Sequence, residues 1–387
     1  MIAIVNATIN TITQGIVDQG GIILIEEGKI KAIGQGIEIP KDAQVIDAQG
    51  QWVTPGLIDA HTHLGVYEET IGWAGADVNE MTDPATPHVR ALDAINPLEQ
   101  GFKDAIQGGV TTVQIMPGSA NVIGGEMSIV KTYGRIVDEM IVKKTSGLKI
   151  AFGENPKRVY GEKKQIPSTR MGTAAVLRDH LIKAKNYLKK IELGMEDSSK
   201  APDIDLKMET LVKVLKKEIP VRAHAHRADD IMTAIRISKE FNINLTLEHC
   251  TEGHKIADII AENGYKAAVG PTLSNRSKIE LGDKGWHTLV SLDKAGVPVS
   301  IITDHPVIPI EYLIVSAAIA VREGLNEETA WKAITINPAK HMGIEDRVGS
   351  LEVGKDADIV LWSGNPFDYR TKVLMTIIDG RIVYQHE

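Results

Sequence analysis

The chain is poor in cysteine, has no excess of basic residues and contains no long apolar run. Its single cysteine excludes an intramolecular disulfide framework and is typical of proteins from a reducing compartment. Acidic residues outnumber basic ones by 51 to 43, so the formal net charge of −8 offers no basic surface for nucleic acid and little attraction to anionic membranes. No apolar run reaches the roughly 18 residues of a membrane span, and the N-terminus lacks a basic region followed by an apolar one. We therefore expect a cytoplasmic protein that binds neither nucleic acid nor membrane.

The 387 residues are enough for one large α/β barrel and a smaller domain. From about residue 56 to 340, β-like runs alternate with amphipathic stretches, which is the pattern of βα units around a parallel sheet. The predicted strands are 57–63, 110–116, 127–133, 148–153, 220–226, 245–249, 265–270 and 297–303. The predicted helices are 97–108, 171–192, 205–217, 229–241, 254–263, 285–295, 309–323 and 326–335. Eight strands that alternate with helices suit a closed barrel, so the fold class is predicted to be α/β with a TIM-like barrel.

Short β-like segments rich in valine, isoleucine and glycine occupy both ends of the chain. They lie at 1–5, 21–26 and 30–33 before the barrel, and at 358–362, 373–378 and 381–384 after it. Neither set is expected to be stable alone. We therefore predict a composite β-sandwich built from residues 1–54 plus 346–387, and a barrel over residues 55–345.

The run 55–63 (PGLIDAHTH) carries the most informative motif. Successive strand side chains point to opposite faces, so His61 and His63 share a face while Thr62 points away. Neutral imidazole is a common ligand of zinc-like ions. Two histidines one residue apart therefore predict part of a metal site.

Further candidate ligands follow other β-like runs of the predicted barrel. Barrel enzymes carry their chemistry at the C-terminal ends of the strands, and each of these residues lies at such an end. They are Glu154, His224, His226, His249 and Asp304. We therefore expect one metal site assembled from several strands.

At this point the sequence resembles the amidohydrolase superfamily. The run 55–63 is similar to the family's first-strand signature, and 337–340 (NPAK) with 349–360 (GSLEVGKDADIV) is similar to its return from barrel to β-sandwich. Within the superfamily, the chain looks most like the imidazolonepropionase-like amidohydrolases. The resemblance implies a distorted (β/α)8 barrel with a sandwich made from both termini.

The resemblance also implies roles for individual residues. His61 and His63 match the first-strand ligands, His249 the sixth-strand ligand, and Asp304 the eighth-strand aspartate that contacts metal and takes the proton of the attacking water. A metal lowers the pKa of water, and a nearby base must accept its proton. One or two divalent ions are expected, with zinc preferred and iron or manganese as the alternatives.

Two ligand positions have more than one candidate. On the fifth strand we favour His226, because an acidic residue, Asp229, follows it by three positions as in relatives. His224 then becomes a supporting residue or an alternative ligand. On the fourth strand, relatives use a glutamate or a carboxylated lysine, and we favour Glu154 over Lys149, with Lys131 as a third option.

Substrate contacts are less closely defined. Arg158, Arg227 and Arg276 are candidates to receive a substrate carboxylate through bidentate contact. The expected activity is hydrolysis of a C–N bond in a cyclic or linear amide of a small-molecule substrate. The alternatives are a peptidase of the Xaa-Pro or dipeptidase kind, a deacetylase, a deaminase or a non-catalytic assembly protein. Relatives commonly form homo-oligomers, and we expect the same here.

Overall fold

The computed structural model describes residues 1–69 and 72–387. In chain order its strands are β1 (Ile2–Asn10), β2 (Ile16–Glu26), β3 (Lys29–Gly34), β4 (Gln44–Asp47), β5 (Trp52–Pro55), β6 (Leu57–Thr62), β7 (Val110–Ile115), β8 (Ile123–Lys131), β9 (Ile141–Ala151), β10 (Val221–Ala225), β11 (Leu245–His249), β12 (Ala267–Val269), β13 (Val299–Ile301), β14 (Ile359–Trp362), β15 (Val373–Ile378) and β16 (Arg381–Gln385). Its α-helices are α1 (Gln100–Gln107), α2 (Val137–Met140), α3 (Glu154–Glu162), α4 (Arg170–Glu196), α5 (Leu206–Leu215), α6 (Ala228–Phe241), α7 (Ala257–Glu262), α8 (His287–Lys294), α9 (Leu313–Arg322), α10 (Glu327–Ala333) and α11 (Ile336–Met342).

The strands from β6 to β13 form a nearly closed eight-stranded barrel sheet. They neighbour one another in sequence order, and a bridge between Thr62 and His305 joins the two edges. Most of these strands are buried along their whole length, as expected where helices cover the outer face. The predicted α/β fold class is therefore confirmed.

The third strand of the barrel differs from the expectation. We expected parallel βα units, but β8 is antiparallel to both β7 and β9. The reason is chain length, because residues 116–122 are fewer than the dozen or so that a parallel crossover requires. The fourth strand also begins at Ile141, earlier than the predicted residue 148.

The amphipathic stretches form helices close to their predicted positions, and α6 illustrates why. Asp229 and Asp230 lie in its first turn and Lys239 lies in its last turn. Charges of these signs at these ends interact favourably with the helix dipole. Asn242 ends it in the left-handed conformation. Among the described residues, no helix is both long enough and apolar enough to cross a membrane.

Both ends of the chain contribute to a second sheet. Its order is β16-β15-β14-β5-β1-β2-β3, with β4 pairing with β1, so β5 and β14 join the N-terminal and C-terminal halves. The sheet encloses a core that includes Ile4, Ile23, Leu351 and Ile377. The composite terminal sheet agrees with expectation, while the domain boundaries at 54/55 and 345/346 remain predictions.

A buried cluster of charges connects this sheet to the barrel. The Nζ atom of Lys131 lies 2.6 Å from Asp358 Oδ2 and 3.0 Å from Asp356 Oδ2, and all three side chains are at most 5% exposed. Because β8 is antiparallel, its carboxyl end lies at the end of the barrel opposite to the carboxyl ends of the parallel strands. Lys131 is therefore not at the edge where the candidate ligands lie, and it is excluded as the fourth-strand ligand.

Candidate metal centre

Most of the predicted ligands meet in one small pocket at the carboxyl edge of the barrel. The pocket has a volume of about 150 Å³, and Glu154 does not line it. Its wall contains His61, His63, Ser119, Lys149, Asn155, His224, His226, His249, Pro271, Ser274, Asn275, Ser277, Lys278, Leu281, Asp304 and Val307. We call it the histidine pocket.

One side of the histidine pocket is formed by the first-strand pair and the eighth-strand aspartate. His61 is the penultimate residue of β6, His63 follows the strand, and Asp304 follows β13 in a left-handed conformation with φ 54°. Asp304 Oδ1 lies 3.3 Å from His61 Nε2 and 3.2 Å from His63 Nε2. Three potential ligand atoms thus converge from two strands.

The other side is formed by the histidines of the fifth and sixth strands. The ligand atoms of His224, His226 and His249 lie within 4.8 Å of one another. The ring centroids of His61 and His249 are 4.6 Å apart, so the two sides of the pocket are in contact. Both fifth-strand histidines line the pocket, so the geometry does not separate the favoured ligand His226 from His224, the predicted supporting residue or alternative ligand.

The outer nitrogens of four histidines are held by hydrogen bonds. Nδ1–H of His63 donates to the Met116 carbonyl and that of His249 to the Gly270 carbonyl, each at 2.8 Å. Since a carbonyl only accepts, both rings carry their proton on Nδ1 and direct an unprotonated Nε2 inward. Nδ1 of His61 faces Glu248 at 2.9 Å, and Nδ1 of His226 faces Thr251 Oγ1 at 2.8 Å. This outer anchoring is typical of histidines that bind a metal.

Burial keeps the fifth- and sixth-strand histidines neutral. It lowers the pKa of His226 to about 3 and holds the pKa values of His224 and His249 well below the ordinary range. Nε2 of His224 is buried without a hydrogen-bond partner in the described part of the chain. Neutral imidazole is the form that binds a metal, so these residues are suited to that role.

The charges on the aspartate side leave a position for a cation. Burial opposes ionisation of Asp304, but hydrogen bonds with His61 and His63 outweigh it and hold the pKa of this carboxyl well below its ordinary range. Burial lowers the pKa of His63, and the neutral ring carries its proton on Nδ1, so the environment opposes a proton on the Nε2 that faces Asp304 at 3.2 Å. Burial and Lys149 oppose protonation of His61, yet the hydrogen bonds to Asp304 and Glu248 raise its pKa. A proton on His61 therefore fills a position that a metal ion would take.

A buried network that the sequence did not indicate supports His61. Glu248 accepts hydrogen bonds from His61 Nδ1 at 2.9 Å and His341 Nε2 at 2.8 Å, and Arg222 lies 3.7 Å away. His341 lies in α11, outside the predicted strands and helices, so its role was not predicted. The signal that was available is Glu248 itself, a charged residue directly before His249 in a predicted strand.

On the fourth strand, Lys149 rather than Glu154 lies in the histidine pocket. Its Nζ is fully buried and lies 3.2 Å from His61 Nε2. Burial is the main cause that lowers its pKa to about 8, so part of the population is a neutral amine near neutral pH. Because β9 extends from Ile141 to Ala151, Lys149 lies near the carboxyl end of the strand rather than near its start.

The expectation for Glu154 was wrong. Gly153 has a φ of 84°, and Glu154 begins α3 directly after it, so the chain turns away from the barrel axis. The Glu154 N–H donates to Glu280 Oε2, and the side chain lines a neighbouring cavity of about 550 Å³.

Two of the three predicted substrate arginines line that same neighbouring cavity. They are Arg158 and Arg227, and Arg227 is paired with Asp229 at 2.9 Å. Arg276 donates to the Lys284 carbonyl at 2.7 Å. The histidine pocket is lined by none of these three arginines. Lys278, two residues after Arg276 in the segment between β12 and α8, lies in the wall of the pocket with Lys149, and we did not predict it.

Comparisons with known proteins agree with this architecture. The model of the amidohydrolase family matches residues 52–383. A crystal structure of an amidohydrolase from Thermotoga maritima MSB8 is 50% identical and superposes with a TM-score of 0.97, with all of both chains covered. Imidazolonepropionase from Colwellia psychrerythraea is 25% identical over 93% of this chain and 90% of its own length. Amidohydrolase tasK from Hapsidospora irregularis is 29% identical over 93% of this chain, which spans only 39% of that longer protein.

Proposed function

Since the chain belongs to the amidohydrolase family, in its imidazolonepropionase-like group, we propose that it is a metal-dependent hydrolase that cleaves a C–N bond of a cyclic or linear amide. One observation carries the metal dependence. The Nε2 atoms of His61 and His63 converge within 3.3 Å of the same Asp304 oxygen while their outer nitrogens are engaged elsewhere. When both rings are neutral, their protons lie on these outer nitrogens, so two lone pairs and a carboxylate oxygen face one another, and a metal ion binds such a set in place of a proton.

The residues that would hold the metal are those of the histidine pocket. His61, His63, His249 and Asp304 are one set, and His224 or His226 completes it. The nitrogen-rich donor set favours zinc, with iron or manganese as alternatives. A carboxyl group added to the neutral amine of Lys149 would supply a further oxygen ligand beside His61, which supports a second ion.

Each residue then has a defined chemical task. A bound divalent metal supplies Lewis acidity, which lowers the pKa of water and polarises a carbonyl. Asp304 accepts the proton of the attacking water and returns it to the leaving nitrogen. Glu248 fixes the orientation of His61. The small volume of the histidine pocket favours a small-molecule substrate.

The position of Asp229 bears on one of the alternative activities, deamination. In deaminating relatives a glutamate usually follows the fifth-strand histidine by three positions, whereas here Asp229 occupies that place and pairs with Arg227 outside the histidine pocket. A deaminase is therefore disfavoured. A peptidase or a deacetylase would use the same metal set, so a substrate panel separates them from an amidase acting on rings.

Metal content and activity together test this proposal. Purified protein should contain one or two equivalents of zinc, iron or manganese by mass spectrometry, in line with such sites. Chelation should abolish hydrolysis of the active members of a panel of cyclic amides, N-acyl amino acids, dipeptides and amino-heterocycles, and the same metal should restore it. A folded protein that takes up no metal on reconstitution contradicts the proposal. Light scattering tests the expected homo-oligomer.

A further inference from the structure

A second group of potential ligands lies outside the histidine pocket. It consists of His254, Asp283 and His287, and we call it the outer group. Its ligand atoms lie within 4.8 Å of one another. His254 is 16% exposed at its side chain, whereas Asp283 and His287 are 44% and 50% exposed, so solvent and ions reach the group freely.

Hydrogen bonding fixes the proton on His254. The hydroxyl of Thr288 donates to the Thr251 carbonyl at 2.9 Å, so its oxygen is left to accept from His254 Nδ1 at 3.0 Å. In neutral His254 the proton is therefore on Nδ1, and Nε2 carries a lone pair directed toward Asp283. This arrangement, with one ring nitrogen anchored by a buried hydroxyl and the other free, is the one that metal-binding histidines adopt.

The distances suit a tetrahedral ion. With metal–ligand bonds of roughly 2.0–2.1 Å, neighbouring ligand atoms of a tetrahedral zinc site are about 3.3 Å apart. His254 Nε2 lies 3.3 Å from Asp283 Oδ2, and His287 Nε2 lies 3.8 Å from Asp283 Oδ1. The two distances end on different oxygens of one carboxylate, so rotation of the exposed Asp283 and His287 side chains is needed to bring one oxygen and both nitrogens around the ion.

One cation already contacts the outer group. Lys255 Nζ lies 2.9 Å from Asp283 Oδ2 and 2.8 Å from Glu252 Oε1. Its side chain is 45% exposed and flexible, so it can leave Asp283 and keep its pair with Glu252. Exposed pairs of this kind contribute little free energy, and displacing this one costs little.

We propose that His254, Asp283 and His287 form a zinc-binding site separate from the histidine pocket, with water as the fourth ligand. The two histidines flank Asp283 from different elements, one just after β11 and one at the start of α8. Asp283 lies in segment 271–286, which supplies Ser274, Lys278 and Leu281 to the wall of the histidine pocket. Zinc at the outer group therefore ties this wall to the barrel.

The test compares two histidine variants with the wild-type chain. Protein whose tightly held metal has been retained is titrated with zinc against a chromophoric chelator. Wild type should bind about one further equivalent, and H287Q should bind it at least about tenfold more weakly. H88Q, which changes an exposed histidine outside the group, should behave as wild type. Hydrogen exchange in 271–286 should slow with zinc in wild type and H88Q only.

Because His287 is half exposed, its replacement does not threaten folding, and the difference between variants does not depend on the metal content of the histidine pocket. Equal zinc binding by wild type and H287Q would overturn the site. Zinc binding that leaves exchange in 271–286 unchanged would overturn its role in holding the wall.

Discussion

The two ends of the barrel both bury acidic side chains, but they balance them differently. At one end, Lys131 lies within 3.0 Å of both Asp356 and Asp358, and Arg347 adds a further contact to Asp356 at 2.9 Å. At the other, Asp304 faces Nε2 of His63, whose neutral ring carries its proton on Nδ1, and Nε2 of His61, where a proton takes the place of a metal ion. The first cluster is complete in charge and joins two sheets. The second is complete only with a cation, and this difference separates a structural ion-pair cluster from a binding site.

The largest expected effect concerns Asp304. D304N keeps the size of the side chain but removes the base, so turnover should fall by about 10²–10⁴-fold while most of the metal stays bound. Steady-state kinetics on the best panel substrate, with metal content measured on the same sample, check this. D18N, an exposed change in the terminal sheet, is the control. Full activity in D304N would remove the assigned base.

A stability measurement probes the opposite end. K131M removes the cation from two buried carboxylates, which should lower the free energy of unfolding by about 3–5 kcal/mol. K183M breaks an exposed pair with Asp179 and should cost at most about 0.5 kcal/mol. Urea unfolding of both variants at pH 7 measures the contrast. Equal costs would show that the Lys131 cluster has no special role in joining the sheets.

A smaller effect is expected behind the histidine pocket. E248Q weakens the acceptor that orients His61 and should lower metal affinity by about 10–100-fold, with activity restored at high metal concentration. E240Q, at an exposed pair with Arg178, should leave the affinity unchanged. Chelator competition gives both values. An unchanged affinity in E248Q would mean that His61 is held by packing alone.

The smallest effect is a pH dependence of the metal-free protein. The pKa of His226 is lowered from 6.5 to about 3, so below pH 6.5 the unfolded chain binds a proton that the folded chain does not. Stability is therefore lost as the pH falls, by about 1 kcal/mol between pH 7.5 and 5.5 from this residue. H226Q should lose less than wild type over this range in urea titrations. Parallel pH curves would show that His226 is not buried as a neutral ring.

The pattern of the sequence predicted the fold and the histidines and aspartate of the histidine pocket, because the alternation of side chains along a strand is a strong constraint. His61 and His63 share a face by the alternation of a strand, and His249 and Asp304 follow apolar runs whose ends must meet in a closed barrel. Predicting these four residues required only the alternation of side chains along a strand and the rule that the ends of parallel barrel strands meet at one edge. The family assignment, on the same motifs, is confirmed.

The positions of other site residues depend on strand lengths, turns and long-range contacts that the periodicity of the sequence does not indicate. Lys149 was underrated because the β9 strand begins seven residues earlier than its apolar run suggested, with polar residues at 143–146 inside the strand. Glu154 was overrated because a glycine with positive φ turns the chain just before it. The reversal of β8 follows from a short connection rather than from any feature of its own residues. His341 joins the site through a hydrogen bond to Glu248 from a helix distant in sequence.

The position of β5 has a consequence for how the protein is made. On the ribosome, β5 can pair at once with β1, but its other neighbour, β14, emerges only after the whole barrel has been synthesised. Until then, the edge of β5 presents unpaired backbone groups of the kind that attract foreign strands. Newly made chains are therefore open to misassociation at this edge throughout the synthesis of the barrel, and closure of the terminal sheet is a late event in their maturation.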